Sequence, residues 1–130
     1  MQPSRRFQWI SWIYAAVFFG GACVHGYDIL RGGLFPRSRL PVAVFAYWDS
    51  LLFFDSLAVV LILFHRRSAL FLAIAIMASD IAVNVYAARL LHLSWHDNLI
   101  GNFPFIVFGC FVFSTARVLW NEATALGWAI

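Results

Sequence analysis

Asp28, Asp49, Asp55, Asp80 and Asn84 are the residues best able to do chemistry, and they interrupt stretches otherwise as apolar as lipid-spanning helices. A carboxylate at bilayer depth costs about 2.5–3.5 kcal/mol on insertion scales, so it is retained where it has a partner or a task. Carboxylates crowded together in low dielectric hold protons near neutral pH, which a proton relay, an ion-coupled carrier or a membrane acid–base enzyme requires. The competing use is structural: each group hydrogen-bonds across a helix–helix seam, worth about 0.6 kcal/mol per contact in membranes.

The other polar groups are less directive. His25 precedes Asp28 by three residues, and His92, His96 and Asp97 form a second cluster. If that segment were helical, His92 and His96 would share a face, as a pair of metal ligands does. The HExxH pattern and the repeated histidine boxes of membrane di-iron oxygenases are absent. Polar residues at headgroup level are the simpler reading, so no metal and no cofactor is assigned. Ser50, Ser56 and Ser79 carry no nucleophile motif, and the catalytic residues stay unknown. Cys23 and Cys110 lie in apolar runs without metal spacing. They read as small hydrophobes at similar depth, where a contact between the first and last helices is conceivable. Tyr47, Trp48, Phe53 and Phe54 surround Asp49 and Asp55 as walls of an apolar pocket with few polar anchors.

The elements that must position these groups follow from composition. The chain has 130 residues, 63% hydrophobic and 12% charged, with a mean hydropathy of +0.82. So few charges cannot cover a water-facing surface. Four apolar runs match the about 30 Å of a bilayer core at about 1.5 Å per residue. The fold class is all-α: one polytopic membrane domain over residues 1–130, an antiparallel bundle of four transmembrane helices with short loops. The spans read as 7–30, 42–64, 69–91 and 102–120. Gly32-Gly33, Pro36 and Pro41 break the first connection, and Arg37 and Arg39 make it basic. His65-Arg66-Arg67-Ser68 is so short that the second and third helices must be antiparallel neighbours. His92 to Gly101 reads as a polar loop, with Asn102 opening the last helix and Pro104 in its first turn. Residues 121–130 read as a tail whose Trp128 lies in the membrane interface.

A basic start before an apolar run raises the question of a signal peptide, and Gly20-Gly21-Ala22-Cys23 brushes a lipoprotein cleavage box. The run is long, and His25 and Asp28 continue it, so an uncleaved helix is the preferred reading. Trp9, Trp12 and Tyr14 near its start look like an interfacial belt. Its small residues, Ala15, Ala16, Gly20, Gly21, Ala22 and Gly26, allow close helix approach.

All nine basic residues are arginine, and the formal charge is +3. They cluster at helix ends, which suits lipid phosphate and topology rather than nucleic acid. Both termini are expected on one side, the cytoplasmic one, and the bacterial inner membrane is the expected site. In depth, His25, Asp28, Asp49 and Asn84 lie towards the side of the first and third loops. Asp55 and Asp80 are near the midplane. Trp48 and Asp55, seven apart, share a stripe, with Asp49 on another face.

The expected function is binding of a small amphipathic or lipidic ligand in an intramembrane acidic pocket. Asp55 and Asp80 are its central anchors, Trp48 its wall, and His25, Asp28, Asp49 and Asn84 its entrance. Of the two carboxylates in the second helix, Asp49 is the one read as helix–helix glue. A proton- or ion-coupled transporter working as a homo-oligomer, or an assembly subunit of a membrane complex, is the alternative. The lipid bilayer is the expected partner, with no nucleic acid.

The chain resembles small uncharacterised bacterial four-helix membrane proteins. The resemblance rests on Asp28-Ile29-Leu30 before Gly33-Leu34-Phe35-Pro36, on Trp48 with Asp55, and on Asp80 with Asn84. It implies a fold and no activity. Asp28, Trp48 and Asp55 also bear a fainter likeness to the EXPERA group of sterol isomerases and the sigma-2 receptor, which places acidic residues and a tryptophan around a lipidic ligand. The connection between the first two helices is shorter here, and the expected glutamates are missing.

Overall fold

A computed structural model of the chain describes residues 2–34 and 39–129. Four helices follow one another: α1 (Arg5–Gly32), α2 (Val42–Leu63), α3 (Ser68–Leu90) and α4 (Trp95–Ala125). Each is long and apolar enough to cross a bilayer. They pack as an antiparallel ring in which each touches its two sequence or cyclic neighbours. This is an integral, multi-pass membrane protein. The loop residues Pro36 and Arg37, and Phe35 of the resemblance, lie outside the described residues.

The helix ends are set by local chemistry. Ser4 caps α1, its Oγ accepting from the Phe7 N–H at 3.1 Å. Pro41 starts α2, where the proline lacks a donor that the helix does not need. Three C-termini close in the same way: α2 at His65 (φ 56°), α3 at His92 (φ 53°) and α4 at Gly127 (φ 75°). In each case the two residues after the cap donate back into the last turn, as Arg66 does to the Leu61 carbonyl at 2.9 Å. Trp128 does so to the Ala123 carbonyl at 2.9 Å. This paired bonding is the Schellman arrangement, which favours glycine at the left-handed position; histidine is among the side chains that tolerate it.

The start of α4 departs from the sequence reading. Residues 95–101 are helical rather than a loop, because Ser94 and Asp97 form a reciprocal cap. The Asp97 N–H donates to Ser94 Oγ at 3.1 Å, and that hydroxyl donates to the Asp97 carboxylate at 2.7 Å. Asn102 therefore lies inside α4 and is buried, and Pro104 is in the helix interior. At its other end α4 runs on to Ala125, past the expected stop at residue 120. His92 is in the turn and His96 in the helix, so the two imidazoles do not share a helical face.

Two kinds of seam hold the ring together. Between α1 and α2 the backbones approach closely over the small residues of α1. Between α1 and α4 large side chains fill the gap: Tyr14, Phe18 and Phe108 meet edge to face at centroid distances of 5.5–6.3 Å. Tyr14 is 1% exposed rather than part of a belt. Its hydroxyl donates to the Val112 carbonyl at 3.0 Å and lies 2.9 Å from Thr115 Oγ1. Trp9 and Trp12, on the opposite face, are exposed. Cys23 and Cys110 are exposed free thiols on outward faces and do not join α1 to α4.

Candidate functional site

At the end where α1 finishes and α2 begins, the bundle forms an open cavity of about 400 Å³. Its polar lining is His25 and Asp28 from α1, Asp49 from α2, and Asp80 and Asn84 from α3. Its apolar lining is Val24, Phe45, Trp48 and Phe105. Helix geometry explains the grouping. His25 and Asp28 are one turn apart on α1, as are Asp80 and Asn84 on α3, and the start of α2 lies between them. Pockets for small ligands have this mixture of apolar wall and few convergent polar groups, in volumes of about 300–1,000 Å³.

Asp80 and Asn84 are held rather than loose. The Asn84 amide donates to the Asp80 carboxylate at 2.7 Å and to the Asp80 main-chain carbonyl at 2.8 Å. This fixes one Asp80 oxygen against its own helix. Tyr47 hydrogen-bonds Ser79 across the α2–α3 seam at 2.8 Å. Ser79 donates back to the Ala75 carbonyl, so Tyr47 is the donor of that link. Phe45 and Trp48 meet edge to face at 5.7 Å and stiffen the apolar wall.

Asp55 lies outside the cavity lining, deeper than the rest. It is 4% exposed, with its carboxylate 3.9 Å from His25 Nε2. The niche exists because Gly21 faces it on α1: a Cβ there would stand 2.5 Å from Asp55 Oδ2. Asp55 and Asp80 are within Coulombic reach of each other, and His25 within reach of Asp28 and Asp49. His25 is thus the side chain that touches both the cavity and the buried carboxylate. The sequence reading made Asp55 a central anchor and Asp49 an entrance residue, the likelier helix–helix glue of the two; in the fold, Asp49 is in the cavity lining and Asp55 packs behind it.

Other residues separate from the site. Phe53 and Phe54 face outward, 63% and 40% exposed, so neither walls the pocket. The hydroxyls of Ser50 and Ser56 each donate to a carbonyl of their own helix at 2.6 Å. Among the described residues no group of three histidine, cysteine or acidic side chains is arranged to hold a metal ion. Gly21 was readable in the sequence only as one of several small residues, and nothing there paired it with Asp55.

The chain matches no protein-family model, no curated protein and no solved structure. A functional reading therefore rests on the geometry.

Proposed function

We propose that this protein binds a small amphipathic or lipidic ligand in the cavity between α1, α2 and α3, with the hydrogen-bond-donating head of the ligand among the acidic residues. The observation that carries the reading is the convergence of His25, Asp28, Asp49, Asp80 and Asn84 with Trp48 and Phe45 on one cavity. Asp80 and Asn84 are the inner anchors, Asp28 and Asp49 the entrance, and Trp48 the surface on which the apolar body rests. Asp55 supports the site through His25. We place the protein in the bacterial inner membrane with both termini in the cytoplasm, since Arg5, Arg6, Arg66 and Arg67 share the terminal side.

The test is a thermal-shift screen of the purified chain against sterols, quinones and lipids. At least one class raises the unfolding midpoint of the parent and not of Asp80→Asn; a flat screen of the parent overturns the reading.

A second reading, proton-coupled transport by an oligomer, draws on the His25–Asp55 contact at 3.9 Å and the nearby Asp80. Intramembrane histidine and carboxylate chains serve as proton relays in pumps and transporters. Proteoliposome flux driven by a pH gradient and lost in Asp55→Asn is its signature, and flux indifferent to that substitution removes it.

A further inference from the structure

The larger cavity lies at the opposite end of the bundle, where neither the acidic residues nor the proposed ligand is involved. It measures about 960 Å³ and opens between the first turns of α1 and the last residues of α2, with the C-terminal segment as its third wall. Phe7, Trp12, Phe64 and Trp128 make it aromatic, while Ser11 and Ala15 form its inner reach. With the start of α1 at headgroup level, Ser11 and Ala15 lie about 9 and 15 Å along the helix from it. The cavity therefore runs from headgroup depth into the acyl region.

Its mouth is positively charged. Arg66 lines it, and Arg5 and Arg6 stand in the first turn of α1 at the same end. No hydrogen bond or ion pair engages these three guanidinium groups among the described residues. Arg67 is used differently: it stacks over Trp120 at 5.0 Å and donates to Thr124. Among the described residues, the one acidic side chain at this end, Glu122, is committed to the start of α1. Its carboxylate oxygens accept from the Ser4 N–H at 2.7 Å and the Ser4 hydroxyl at 2.9 Å. An occupant with a negatively charged head and an apolar tail long enough to fill the inner reach complements this lining.

We propose that this cavity is a binding site for an anionic phospholipid, whose acyl chain lies between α1 and α2 and whose phosphate, uncompensated by a cationic head, is held by Arg66. Guanidinium pairs with phosphate through two parallel hydrogen bonds, and each basic residue near an anionic head strengthens lipid binding by about five-fold. The site is distinct in position and charge from the acidic cavity.

Native mass spectrometry of the full chain, delipidated in detergent and then titrated with phosphatidylglycerol or phosphatidylcholine of identical acyl chains, tests this. The parent retains one phosphatidylglycerol and releases phosphatidylcholine. Arg66→Gln lowers that preference about five-fold, and Ser11→Phe, which fills the cavity, abolishes retention of phosphatidylglycerol. Asp80→Asn keeps the parental preference for phosphatidylglycerol. Equal retention of the two lipids by the parent, or an undiminished preference in Arg66→Gln, overturns the proposal. Arg66 lies on an exposed turn, so that variant reads the site even if Ser11→Phe fails to fold.

Discussion

At the end where α1 begins, the bundle closes on Phe7, Trp120 and Trp128; at the other end it closes around Asp28, Asp49, Asp80 and Asn84. The aromatic end is also where the chain is tied to itself. Ser4 bonds Glu122, and the Arg67 N–H donates to the Ala129 carbonyl at 2.8 Å. Trp128 stands edge-on between Phe7 at 5.1 Å and His65 at 4.9 Å. At the acidic end the buried Asp80 is bonded within its own helix by Asn84, and Tyr47 links α2 to α3 through Ser79. The difference suggests a division to test: the first end ties the chain together, and the second gathers the acidic groups of the proposed ligand site.

The sharpest test of that division is Trp128→Ala. It removes the packing of a large aromatic and lowers stability by about 3 kcal/mol, while the ligand-induced thermal shift at the acidic cavity survives. Asp80→Asn does the reverse, costing little stability and losing the shift. Denaturant titration in mixed micelles beside the ligand screen reads both, and a Trp128→Ala variant of parental stability breaks the comparison.

Gly21→Ala comes next, because its methyl meets the Asp55 carboxylate at 2.5 Å. The expected loss is about 1–3 kcal/mol. Gly109→Ala costs less, although its Cβ would stand 2.8 Å from Ile81 Cδ1, since that atom is the end of a flexible side chain. The same titration checks the order of the two. Tyr14→Phe and Tyr47→Phe each remove an interhelical hydrogen bond and lose about 0.6 kcal/mol, at most about 1.7. Comparable losses at the two positions would show that seam hydrogen bonds are alike at both ends, leaving aromatic packing as what distinguishes them.

The smallest effects concern the left-handed histidines. His92→Gly relieves a strained backbone and gains about 0.5–1 kcal/mol. His65→Gly relieves the same strain but loses the ring contact with Trp128, worth about 0.5–1.5 kcal/mol, so its midpoint barely moves. A rise in both variants would deny His65 any packing role.

Much of this architecture was legible in the chain because lipid imposes it. Long apolar runs, arginines at their ends and glycine or proline breaks locate four helices with no knowledge of their contacts. The start of α4 was misplaced because polar residues 96–98 looked like a loop, although Ser94 and Asp97 carry a capping pattern. The site was half visible. Spacing along each helix grouped His25 with Asp28 and Asp80 with Asn84, but the rotation of α2 decides whether Asp49 or Asp55 faces the cavity. Mean hydropathy carries no such rotational information when a helix is apolar all round. The Trp128 anchor and the terminal cavity depend on residues more than 50 positions apart, a pairing that local pattern does not encode.

The niche formed by Gly21 for Asp55 has one more consequence, for alignment along the membrane normal. Two apolar helices in lipid can slide past each other with little change in solvation, because acyl chains are as apolar as leucine. A peg and its hole remove that freedom. Sliding α1 by one turn, about 5.4 Å, would set either Val17 or His25 where Gly21 now stands. Val17 would drive a branched side chain into the carboxylate, and His25 would leave the cavity it lines. A single glycine thus acts as a vernier mark, selecting one axial setting of α1 against α2 from several that hydrophobicity would accept equally.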